Sequence, residues 1–355
     1  MLVMRYLNCV LFIILFFGCS KSKYHFEEAN FDLVEDVMLD KKSVISNNLL
    51  FSYPSDMICI GDYIIVLAPN DSPSLFIYDK NKGELINNIV RKGKGPNELL
   101  QVNSIAVRFS DNESLGIYDN MSSKIHIYSY EMLSDTSLNC RPEIIDVPRI
   151  DNSFTNIVSH IDDKMLVRTN CPDKRLLWIE KDESINIAKE DFPILYDEDL
   201  HINANVLSYA NKTAISPDGN KIVETTYLGG IIEILERTGS EYKQKILHTY
   251  TEPKFEFYEY PDHITWSDET MCGFKNLSVT EKSIIAQYDG KLAGIEDKNE
   301  TKLRVYDWNG DQVKEYRFDI NFWNFTYDKS SNSIFAIVVG ESGNFELYKY
   351  NLEIE

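Results

Sequence analysis

Few stretches of this sequence combine the residue types and spacing that chemistry needs. Arg91-Lys92-Gly93-Lys94-Gly95-Pro96 is glycine-rich and basic, as a phosphate cradle would be. It lacks the Gly-Lys-Ser/Thr ending, and no helical pattern follows to supply N-terminal amides, so it reads as a turn linking strands. Gly340-Glu341-Ser342-Gly343 is one residue short of a nucleophile elbow; Asn344 breaks the G-x-S-x-G pattern and leaves a hairpin turn. Asp307-Trp308-Asn309-Gly310-Asp311 suggests a calcium loop but has no distal glutamate at EF-hand spacing. The six histidines, at positions 25, 126, 160, 201, 248 and 263, are mutually distant. Cys59, Cys140, Cys171 and Cys272 show no metal-binding spacing, so neither a metal nor a cofactor is expected. An oxidising compartment would permit disulfides among them, with three possible connectivities, although Cys59 between Ile58 and Ile60 reads as a free core thiol. With no enzyme motif, the sequence favours a binding protein.

The N-terminus reads as an export segment. Arg5 supplies a basic start, Cys9 to Phe17 an apolar run too short to span a bilayer, and Gly18-Cys19 a small residue before cysteine. Phe16-Phe17-Gly18-Cys19 resembles a bacterial lipobox, which implies cleavage after residue 18 and lipidation of Cys19. Residues 19–30 then form a tether, and 31–355 a single domain. Ser20-Lys21-Ser22-Lys23 lacks both an inner-membrane aspartate and an acidic run, so the expectation is a periplasm-facing outer-membrane lipoprotein. The formal net charge of −20 argues against nucleic acid and anionic lipid surfaces as partners.

The elements that must position any site are strands. Tyr and Phe are abundant, at 21 and 18, and Gly and Pro are too few for a low-complexity chain. Arg91 to Tyr128 shows the unit: a glycine turn, then runs at Ser104–Val107, Ser114–Tyr118 and Lys124–Tyr128 separated by polar turns. A strand–turn–strand pattern recurs, with second strands beginning at Ile64, Leu115, Met165, Ile222, Ile284 and Ile334, about every 50 to 60 residues. Third strands follow, among them Leu75–Asp79, Ile231–Leu235 and Phe345–Lys349, and several fourth strands, clearest at Glu84–Val90 and Gln312–Phe318. This is the pattern of an all-β, six-bladed β-propeller of four-stranded antiparallel blades. After Tyr350 too little chain remains for a last fourth strand. The N-terminal run Leu33–Leu39 is therefore expected to supply that edge and close the ring.

At these residues the chain resembles the TolB-like and NHL-like six-bladed propellers. Gly93-Lys94-Gly95-Pro96-Asn97-Glu98 is similar to the GxGPGE loop of that group, with Asn97 in place of a glycine. Ile105-Ala106-Val107, Tyr118-Asp119 and Ile125–Tyr128 match the motifs that follow it. Ser216-Pro217-Asp218-Gly219-Asn220-Lys221 matches the turn typical of TolB blades. The resemblance implies a fold, in lipoproteins of diderm bacteria, rather than an activity.

Two insertions interrupt the repeat. Asp191–Leu207 is acidic and reads as a solvated loop or short helix; Pro253–Phe274 is aromatic and either packs on its own domain or recognises a partner. In a propeller, loops from an outer strand to the next inner strand share a face with loops joining second and third strands. That rule gathers Asn120, Arg175, Tyr227, Tyr260, His263, Trp266 and Tyr288 on one rim as the candidate ligand-binding set. The function expected is that of a lipid-anchored, monomeric envelope module binding or scaffolding a protein, peptide or glycan. The alternative is a lyase or hydrolase whose residues converge at the central channel.

Overall fold

A computed structural model describes residues 35–39, 43–46, 49–95, 97–107, 114–137, 141–148, 156–161, 164–180, 182, 184–193, 202–209, 211–259, 262–295, 300–352 and 354. Strands β1 (Glu35–Leu39) and β2 (Ser43–Ser46) precede the first blade, β3 (Asp56–Ile60), β4 (Tyr63–Leu67), β5 (Leu75–Asp79) and β6 (Leu85–Ile89). A short parallel pair, β7 (Arg91–Lys92) and β8 (Glu98–Leu99), leads to the second blade. This comprises β9 (Val102–Val107), β10 (Ser114–Asp119), β11 (Lys124–Ser129) and β12 (Glu143–Asp146), with α1 (Tyr130–Ser134) before its last strand. The third blade is β13 (Asn156–Ile161), β14 (Lys164–Arg168), β15 (Leu176–Ile179) and β16 (Ile185–Lys189). After α2 (Ile202–Ser208) comes the fourth: β17 (Asn211–Ile215), β18 (Lys221–Thr226), β19 (Ile231–Thr238) and β20 (Glu241–Thr249). A hairpin, β21 (Glu256–Glu259) and β22 (Asp262–Thr265), separates it from the fifth blade, β23 (Phe274–Val279), β24 (Ser283–Tyr288), β25 (Thr301–Asp307) and β26 (Gln312–Phe318). The sixth contains β27 (Phe322–Asp328), β28 (Ser333–Val339) and β29 (Phe345–Asn351).

The inner strands adjoin in chain order, and β27 returns to β3, so the ring is closed. Every blade packs on two neighbours. Its second strand is therefore buried on both faces, which explains why β4, β24 and β28 are apolar runs instead of alternating ones. The fold is the all-β six-bladed propeller expected, closed by an N-terminal strand.

The closing strand, however, is not Leu33–Leu39. Residues Ser43–Ser46 of β2 pair antiparallel with β29, Val44 opposite Tyr348, and complete the sixth blade as its fourth strand. The expected strand, as β1, lies parallel to β26 with Glu35 opposite Lys314 and Leu39 opposite Phe318, a fifth strand on the fifth blade. Topology explains the difference. Each fourth strand feeds the next inner strand, and β2 is the strand that immediately precedes β3. The seam it seals is apolar: Leu49 and Phe51 are buried with Phe76 and Ile64 of the first blade and Phe335 and Leu347 of the sixth. The Phe51 ring lies 5.6 Å from Phe76 and 5.4 Å from Phe345. Burying it there contributes about 2 kcal/mol.

The family-like motifs turn out to be joints. The Glu98 carboxylate accepts from the Gly95 amide at 2.8 Å, and a Cβ on Gly93 would lie 1.9 Å from Glu98 Oε2, so a larger residue there would displace the glutamate from the loop. Asp119, buried, accepts from the amides of Leu100 at 2.8 Å and Gln101 at 3.1 Å, and from Met121 at 3.1 Å. One carboxylate thus ties the incoming loop to the β10–β11 turn. Asp218 caps its own turn through the Asn220 amide at 3.1 Å, with Gly219 at φ +71°.

Candidate functional site

Loops entering inner strands and loops joining second to third strands emerge on one face. There, at the channel mouth, is a cavity of about 1210 Å³. It is walled by Tyr53 to Ser55 from the first blade, Lys212 and Tyr227 from the fourth, and Lys275 and Asn276 from the fifth. The sixth blade contributes most: Asp319 to Asn324 at its inner edge, the turn Val339 to Ser342, and Glu346 and Tyr348. Across the ring, Lys212 Nζ of β17 approaches Asp56 Oδ1 of β3 at 3.6 Å, so an ion pair joins the inner strands of opposite blades.

The most constrained exposed side chain in the wall is Trp323, 38% exposed. Its Nε1–H donates to the Pro54 carbonyl at 2.8 Å, so the indole's polar handle is already used. Tyr53 meets it edge-on at 5.0 Å, and Phe345 at 5.5 Å. The backbone beneath is fixed too. Asn276 Nδ2 donates to Gln287 Oε1 at 3.0 Å and to the Trp323 carbonyl at 3.3 Å, and Gln287 Nε2 donates to the Phe322 carbonyl at 2.9 Å. Thr301 Oγ1 donates to the Ile320 carbonyl at 2.8 Å and accepts from the Phe322 amide at 2.7 Å. These bonds hold the start of β27 from the fifth blade and the Pro54 bond ties the indole to the first, while Trp323 lines the cavity.

The charges are unevenly matched. Lys275 Nζ sits 2.6 Å from Asp289, and Lys212 has Asp56. Glu346 accepts only the Tyr348 hydroxyl at 2.7 Å, and no cation pairs with Asp319, Glu341 or Glu346 among the described residues. On the opposite wall, Cys272 Sγ donates to Tyr227 OH at 3.2 Å; burial, with this contact, pushes the Tyr227 hydroxyl pKa well up.

Of the candidates expected on this rim, Tyr227 lines the cavity and Trp266, 56% exposed, lies with its ring 6.5 Å from it. The insertion carrying Trp266 folds as the β21–β22 hairpin against α2, the helix that ends the acidic insertion. On that hairpin His263 stacks on Tyr258 at 4.9 Å. Gly230, at φ +67°, locks its return: a Cβ on Gly273 would lie 2.3 Å from Gly230 Cα. Tyr288 is sandwiched between Phe274 at 5.1 Å and the Arg304 guanidinium at 3.6 Å, beneath the face. Asn120 sits partly buried in the β10–β11 turn, away from the cavity. Tyr260 and Cys19 lie outside the described residues. Cys59, Cys171 and Cys272 are unpaired thiols, and Cys140 is likewise outside.

Arg175 departs from the expectation of a rim contact. It is 0% exposed and pairs with Glu224 and Glu233, both buried. Arg168 Nε joins Glu224 at 2.9 Å, and Tyr209 OH donates to Glu233 at 2.6 Å. The guanidinium of Arg175 also lies 4.7 Å from the Tyr209 ring centre and 5.2 Å from that of Phe192. A loop position sets the face of the molecule but not the direction in which a side chain turns, and two strand carboxylates draw this one inward.

Sequence reasoning missed Tyr53, Lys212, Lys275, Asn276, Asp319, Trp323, Glu341 and Glu346. They come from four blades, and only the ring brings them together. One signal was present in Asn321-Phe322-Trp323-Asn324, a tryptophan between amides at the start of an inner strand.

The family model described as TolB-like 6-blade propeller-like matches residues 34–330. No curated protein matches the chain. Among solved structures, a Bacteroides fragilis protein described as exported is similar at TM-score 0.52 and 13% identity, covering 90% of this chain and 100% of its own. A β-propeller domain from Myceliophteria thermophila reaches TM-score 0.48 at 9% identity, covering 88% of this chain and 99% of its own. Both likenesses concern the fold.

Proposed function

The chain belongs to the TolB-like 6-blade propeller-like family, and from that premise we propose that it is a cell-envelope binding module whose ligand is held at the channel mouth. The observation that carries this reading is the large cavity built around a partly exposed indole fixed from the two neighbouring blades. Pockets that combine rigid aromatic walls with a few convergent polar groups bind at low entropic cost. The lining is aromatic, amide and charged, the residue types that hold a polar ligand.

Location follows from the leader. The short apolar run ending in Gly18-Cys19 supports export and lipidation at Cys19, in keeping with the exported description of the Bacteroides fragilis protein. An outer-membrane anchor with the propeller facing the periplasm is the arrangement proposed. The partner is a protein, peptide or glycan of that compartment.

The test uses the mature protein as bait in native membrane extracts, beside Trp323→Ala. A partner retained by the parent and lost by a variant that is still fully folded at the assay temperature is the expected result. Equal recovery by both would overturn the site. Acyl labelling of a Cys19→Ala chain reads the anchor separately, and labelling should disappear.

A further inference from the structure

We propose that the channel-mouth cavity selects a ligand bearing a positive charge, an ammonium or guanidinium group, seated on the Trp323 face; this rests on the binding reading above. The indole offers nothing else. Its N–H is used by Pro54, Tyr53 and Phe345 meet it in T-shaped contacts, and the 38% of it that stays exposed can offer a ligand only its π-electron-rich ring. The face of such a ring attracts cations, and tryptophan does so best among side chains.

The charge of the same cavity points the same way. Both lysines in its wall are neutralised, Lys212 by Asp56 and Lys275 by Asp289, so they do not oppose a cation and are poorly placed to recruit an anion. Asp319, Glu341 and Glu346 line the wall without a cationic partner among the described residues. Carboxylates flanking an aromatic face provide both the Coulomb and the quadrupole attraction that an alkylammonium needs. A neutral polyol would leave that charge unmatched; an anion would be repelled by it.

Isothermal titration with acetyl-penta-lysine amide, spermidine, cellohexaose and penta-glutamate, on the mature full-length protein, tests this directly. The peptide and spermidine separate a polypeptide from a free polyamine as source of the charge, and either one binding supports the class. Because the protein is acidic overall, a charge-matched control is essential. The cavity triple Asp319→Asn, Glu341→Gln, Glu346→Gln and the single Trp323→Ala should each weaken cation binding about tenfold. A triple on remote exposed positions, Glu143→Gln, Asp182→Asn and Glu241→Gln, should change it less than about twofold.

Equal weakening by both triples would reduce the effect to overall charge and overturn the inference. Cellohexaose or penta-glutamate binding that Trp323→Ala abolishes, with both cations silent, would overturn the charge class but leave the binding site standing. If no probe senses Trp323→Ala and the membrane partner is also retained by that variant, the site itself fails.

Discussion

Between the third and fourth blades, Arg168 and Arg175 meet Glu224 and Glu233 with almost no access to water, whereas at the channel mouth Asp319, Glu341 and Glu346 line an open cavity with no ion-pair partner among the described residues. Aromatic rings attend both regions. In the seam, Tyr209 and Phe192 cover the guanidinium of Arg175; at the mouth, Trp323 stays 38% exposed. Residue type does not separate the two regions. Matching does: a buried charge must find its partner within the chain, while an exposed one can wait for a partner from outside.

The comparison breaks most visibly at Arg175. Arg175→Ala leaves two carboxylates buried without their shared cation and should cost about 3–5 kcal/mol in denaturant unfolding. If the loss is below about 1 kcal/mol, the seam is not the closed ion network described. Binding at the mouth should be untouched in whatever fraction stays folded. Trp323→Ala is the mirror experiment, weakening ligand binding by about 1–2 kcal/mol in a protein that still folds, at a smaller stability cost than Arg175→Ala. A variant that unfolds instead would make the indole a piece of core.

Acidity sharpens the contrast further. Burial alone would raise the Glu224 carboxyl, but Arg175 and Arg168 outweigh it and hold its pKa below the ordinary glutamate value. A depressed folded pKa means stability that is fully present above the unfolded value and lost as pH falls through the folded one. Melting temperature should therefore drop on acidification below the usual glutamate range, and Glu224→Gln should flatten that part of the profile. An identical profile in the variant would remove Glu224 as the source. The smallest effect is expected at His263, stacked on Tyr258 in the exposed hairpin: His263→Ala should shift stability by less than about 0.5 kcal/mol in thermal unfolding.

The ring was legible because its physics repeats. A second strand buried on both faces must be apolar, so Ile64, Ile222, Ile284 and Ile334 mark the blades in sequence as in space. The closing strand was not, because Ser43–Ser46 is too short to stand out and the longer Leu33–Leu39 run draws attention from it. Arg175 was misjudged from its loop, although the needed signal lay elsewhere. Glu224 in IVETT and Glu233 in IIEIL are carboxylates inside apolar strand runs, and such residues call for a buried cation. The cavity was illegible for a third reason. Tyr53, Lys212 and Trp323 are remote in sequence, and only closure of the ring sets them around one space.

The two N-terminal strands also determine how the ring would carry a load. The chain runs first through β1, clipped to the fifth blade over the pairs Glu35–Lys314 to Leu39–Phe318, and only then through β2, which seals the sixth. Tension arriving from the N-terminal side must detach the first clip before it reaches the seal. β1 is thus a mechanical fuse in series with the closure: under pull it yields first, and the ring keeps its shape while it does.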